Sequence, residues 1–96
     1  MLVVVSRETE VFIGEGGGLL FVWPSRSYGP QCTLTTLHAS LDPPPRALEF
    51  RRIILPEFLL FVHPDMRSLP KELWVEVRGR KRPHVRAYWD GLAYVA

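Results

Sequence analysis

The stretch ELWVEVRGRKRPHVRAYWDGLAYVA, residues 72–96, decides the fold. From Glu72 to Arg78 the side chains alternate strictly. Leu73, Val75 and Val77 point one way, and Glu72, Trp74, Glu76 and Arg78 point the other. That period of two belongs to a strand with one buried face. His84–Trp89 alternates in the same manner, so Gly79–Pro83 reads as the loop of a hairpin. With that loop, Val77 faces Val85, Val75 faces Ala87 and Leu73 faces Trp89. On the other side Arg78 meets His84, Glu76 meets Arg86 as an ion pair, and Trp74 meets Tyr88 as an aromatic pair. A slip of one residue would break every one of these pairs, so the register is strongly specified. Asp90-Gly91 is a two-residue turn signal, and it predicts a third strand running back over residues 92–96. The chain therefore ends in a three-stranded antiparallel meander.

Outward from the meander, nine prolines and seven glycines cut the rest of the chain into short pieces rich in Val, Leu, Ile, Phe and Trp. Leu2–Val5 and Glu10–Ile13 read as strands, with Ser6–Thr9 between them. Gly14–Gly18 reads as a turn into a strand over Leu19–Trp23 that Pro24 stops. Ser25–Gln31 reads as a surface loop, Thr33–His38 as a strand, and Pro43-Pro44-Pro45 as a stiff connection. In Arg46–Leu55 the pair Arg51-Arg52 breaks the alternation. A strand with a bulge is expected there, and a short helix near 46–55 is the alternative. Phe58–Val62 is continuously apolar and reads as a fully buried strand. The expected fold is a single mainly β domain over 1–96, a small barrel or sandwich of seven to nine short strands.

Length and composition restrict the function classes. Ninety-six residues form one core and bury only about 60–65% of the unfolded surface, which leaves little chain for a deep catalytic cleft. The single cysteine, Cys32, excludes an internal disulfide and a cysteine-based zinc cluster. No apolar run approaches the length of a membrane span, and Met1–Val5 lacks the basic start of a signal peptide, so a cytoplasmic protein is expected. The absence of asparagine and the ten arginines against two lysines fit a thermophilic source or a GC-rich genome.

Charge is unevenly placed. Residues 1–77 carry seven basic and nine acidic side chains, and residues 78–96 carry five basic and one acidic. The basic residues are Arg78, Arg80, Lys81, Arg82 and Arg86, and with His84 they lie within nine positions that hold no acid. On the hairpin, Arg80, Lys81 and Arg82 occupy the tip, with Arg78 and Arg86 at its base beside Trp74 and Tyr88. Such a finger neutralises phosphates and releases counterions, while its aromatic rings stack on unpaired bases. The competing reading is a solvated tip that protects the sheet from aggregation. The favoured partner is DNA or RNA, bound without enzymatic chemistry. The alternative is a structural or partner-binding subunit of a homo-oligomer or viral assembly, motivated by Phe12, Phe21, Trp23, Phe58 and Phe61 in so small a chain.

Other motifs carry less. Gly14-Glu15-Gly16-Gly17-Gly18 lacks the Lys-Ser/Thr ending of a phosphate-cradling loop. His63-Pro64-Asp65 resembles the tripeptide of J-domain co-chaperones, but Pro56–Val62 leaves no room for the long basic helix that precedes it there. Leu2, Arg7 and Ile13-Gly14 resemble in type the opening of the carbon-storage regulators. An extra residue among Val3–Val5 shifts the spacing, and that family is not assigned. His38, His63 and His84 lack metal-ligand spacing, and Cys32 with His38 reads as a buried thiol and an unrelated histidine. No catalytic residue, metal or cofactor is expected.

Overall fold

The computed structural model describes residues 2–28, 33–64, 66, 71–89 and 94–95. Among the described residues, eight strands, one α-helix and one 3-10 turn follow each other along the chain. They are β1 (Leu2–Val5), α1 (Arg7–Glu15), β2 (Leu19–Tyr28), β3 (Thr33–Ser40), the turn Ala47–Glu49, β4 (Arg51–Ile54), β5 (Leu59–Val62), β6 (Glu72–Arg78), β7 (His84–Trp89) and β8 (Tyr94–Val95). The strands form a three-stranded sheet, β1-β6-β7, and a five-stranded sheet, β4-β5-β2-β3-β8. The mainly β expectation holds, as an open two-sheet arrangement rather than a closed barrel.

The β6–β7 hairpin adopts the register that alternation dictates, with Leu73 opposite Trp89, Val75 opposite Ala87, Val77 opposite Val85 and Arg78 opposite His84. Its inner face buries Leu73, Val75, Val85 and Ala87. The loop turns at Gly79, whose φ of 92° is strained for any residue with a side chain. A Cβ there would come within 2.7 Å of the Arg82 carbonyl oxygen.

The other faces of the core follow from the same parity. Leu20 and Val22 of β2, Leu60 and Val62 of β5, and Ile13 of α1 are fully buried against Leu73 and its neighbours in one cluster. Burying each of these aliphatic side chains stabilises the fold by about 1.5–3 kcal/mol. The two parallel pairings are long-range. Leu2 aligns with Glu72 and Val5 with Val75, while Leu19 aligns with Leu59 and Val22 with Val62.

Four expectations are corrected. Glu10–Ile13 belongs to α1 rather than to a strand. Ser6 is extended and its Oγ accepts from the Thr9 amide at 3.2 Å, which caps the helix. Glu8 and Glu10 lie in the first turn, where the helix dipole favours negative charge. Thr9 and Ile13, four apart, bury one face. The glycine run accordingly ends a helix: the Gly18 amide donates to the Ile13 carbonyl at 2.9 Å, and Gly17 and Gly18 have φ of 119° and 78°.

Pro24 does not stop β2, which continues to Tyr28 and so takes in Ser25–Tyr28 of the expected loop. The Gly18 and Val22 carbonyls accept from Leu59 and His63, so even-numbered residues of β2 direct their amide groups toward β5. Pro24 is next in that phase and has no N–H to give, so the pairing with β5 stops at Val22 while that with β3 runs on, Pro24 opposite Leu37. Residues 46–55, expected as a strand or a short helix, hold both in part: the 3-10 turn Ala47–Glu49 and then the strand β4. β5 is buried only on alternate residues, Leu60 and Val62. Lastly, Tyr94 and Val95 pair with Thr35 and Leu34 of β3, so the last strand of the expected meander joins the larger sheet. A strand as short as two residues is held by whichever edge it reaches. The Asp90-Gly91 turn lies outside the described residues.

Candidate nucleic-acid interface

The outer face of the smaller sheet is built by register. Val4, Trp74 and Tyr88 form one row across β1, β6 and β7. Glu76 and Arg86 form the next row, and Arg78 and His84 the one after it. Beyond them the chain turns through Arg80, Lys81 and Arg82, all exposed. Register thus puts Trp74, Tyr88, Arg86 and Arg78 on one face, and the exposed loop residues Arg80, Lys81 and Arg82 follow at the end of the hairpin.

Hydrogen bonds set the electrostatics of this face. The Arg78 guanidinium donates to Glu76 Oε1 at 3.1 Å, two residues back on the same strand. This contact, the Glu76 charge and the Tyr88 hydroxyl raise the Arg78 pKa above its ordinary value. The expected Glu76–Arg86 ion pair is not made; Glu76 pairs with Arg78 instead. Among the described residues Arg80, Lys81, Arg82 and Arg86 have no carboxylate partner. Near the other end, Trp74 Nε1 donates to Glu72 Oε2 at 2.8 Å, and the indole remains 42% exposed. His84 Nδ1 lies 3.1 Å from the Arg82 carbonyl, which ties the loop's end to its own base.

A second aromatic cluster, on the outer face of the larger sheet, gathers Phe21, Trp23 and Phe61, which the sequence named for the oligomer alternative, with Phe50, His38 and His63, which it did not. Phe21 stacks on Phe61 with centroids 4.7 Å apart, and Trp23 stacks on His38 at 5.7 Å. Phe50 meets Phe21, Trp23 and His63 edge-on. The period-two run Leu19, Phe21, Trp23 was the available signal. Phe21 and Phe58 are buried within the chain itself. Among the described residues no group of three or more His, Cys, Asp or Glu side chains could hold a metal ion, and no helix is long and apolar enough to cross a membrane. Cys32 and Asp65 lie outside the described residues.

Comparison of the chain with protein-family models, with curated proteins and with solved structures finds no match.

Proposed function

We propose that this protein is a small, non-enzymatic nucleic-acid-binding module that grips phosphates with the β6–β7 hairpin. The observation that carries the reading is the state of its cations: Arg80, Lys81, Arg82 and Arg86 are exposed and lack carboxylate partners among the described residues. An exposed cationic cluster free of internal neutralisation is the footprint of a polyanion partner. The affinity would come from phosphate contacts and counterion release, with little base specificity, since α1, with Glu8, Glu10 and Glu15 against Arg7, is too acidic for a recognition helix. The same proposal places the protein in the cytoplasm, where nucleic acid is accessible.

An oligonucleotide titration at several salt concentrations tests it. With about four phosphates contacted, log K falls against log salt with a slope of about −3 to −4. Replacing Arg80, Lys81 and Arg82 together by alanine removes most of the affinity and flattens the slope to about −1 while the fold is kept. An unchanged affinity in this variant overturns the proposal.

A further inference from the structure

We infer that the partner is a single strand with unpaired bases, one of which stacks on Trp74; this rests on the nucleic-acid reading above. Along the ribbon the outer face changes character in order. At one end stands the row Val4, Trp74, Tyr88, and toward the loop follow Arg86, then Arg78 with His84, then the tip. A duplex presents its phosphates outward and hides the faces of its bases, so it could use only the cationic end. An extended single strand presents both and matches the whole length of the ribbon. The four residue steps from Trp74 to Arg78 span about 13 Å at strand rise.

The indole is prepared for stacking. Its Nε1–H is engaged by Glu72, which fixes the ring edge, and 42% of the residue is open to solvent. A ring already held pays less ordering cost when a base settles on it. Of the two carboxylates of this face, Glu76 is offset by the Arg78 cation, whereas Glu72 is oriented by the neutral Trp74 indole and keeps its charge at the aromatic end, away from the cationic tip. Aromatic stacking with a cationic track is the way sequence-tolerant single-strand binders work, since every base has a π face.

The test compares labelled oligo(dT) of about twelve nucleotides, a duplex of the same length, and an abasic strand of the same length, by fluorescence anisotropy at fixed salt. The single strand binds at least about tenfold tighter than either other probe. Trp74→Ala reduces single-strand affinity about tenfold and leaves duplex binding unchanged, while Trp74→Phe retains most of the preference. A thermal melt of both variants checks that the fold is intact. Equal affinity for duplex and single strand, or no change in Trp74→Ala, overturns the single-strand inference and leaves the phosphate-binding reading standing. Failure of all three probes to bind, with the wild-type chain folded, overturns both.

Discussion

Arg78 reaches back along its own strand to Glu76, at 3.1 Å, and not across to the neighbouring strand. Glu76 stands opposite Arg86, so one carboxylate serves the inner arginine and leaves the outer one to solvent. Replacing the acid should therefore strengthen the cationic face. Glu76→Gln is expected to tighten oligonucleotide binding severalfold and to steepen its salt dependence. Because the pair is exposed, stability should change by no more than about 0.5–1 kcal/mol. Anisotropy titration and urea unfolding read the two effects separately.

Gly79 is the geometric weak point of the hairpin. With φ at 92° and the Arg82 carbonyl oxygen 2.7 Å from an added Cβ, alanine meets both an unfavourable backbone region and a fixed obstacle. Gly79→Ala should cost about 1–3 kcal/mol in urea unfolding. It should also weaken oligonucleotide binding, because the loop that carries Arg80, Lys81 and Arg82 must move.

Ser6 supplies the side chain that starts α1. Removing its Oγ in Ser6→Ala leaves the Thr9 amide without that acceptor, and a loss of about 1 kcal/mol is expected. Oligonucleotide affinity should not change, since α1 buries Thr9 and Ile13 in the core and carries none of the residues of the candidate interface.

Leu73 is fully buried where β6 meets the rest of the core, and its neighbour Trp74 is half open. Leu73→Ala should destabilise the protein by about 2–5 kcal/mol in urea unfolding, a large share of the roughly 5–15 kcal/mol typical of a domain.

The hairpin was legible because its information is local and redundant. Each of the pairs from Leu73–Trp89 to Arg78–His84 follows from a period of two and one loop length. α1 was not, because its nine residues place Val11 and Ile13 two apart, which imitates a strand, while its real determinant is the Ser6 cap. Pro24 misled for a related reason. Its missing donor matters only on the side where β5 lies, and no local pattern says which side that is. Pairings such as Leu2 with Glu72 leave no local trace either, because a parallel partner far along the chain adds no periodicity of its own. The cations of the candidate site were readable from composition alone; that Glu76 would choose Arg78 over Arg86 was a matter of side-chain reach.

The union of β1 with β6 sets an order of events. Leu2 cannot find its neighbour until Glu72 has been synthesised, so β1 waits for a partner far downstream in the chain. Until then Val3 and Val5 remain uncovered, and a chain interrupted before β6 would expose them as a sticky edge. Closure across so long a loop is slow, in the range of milliseconds to seconds typical of topologies dominated by distant contacts.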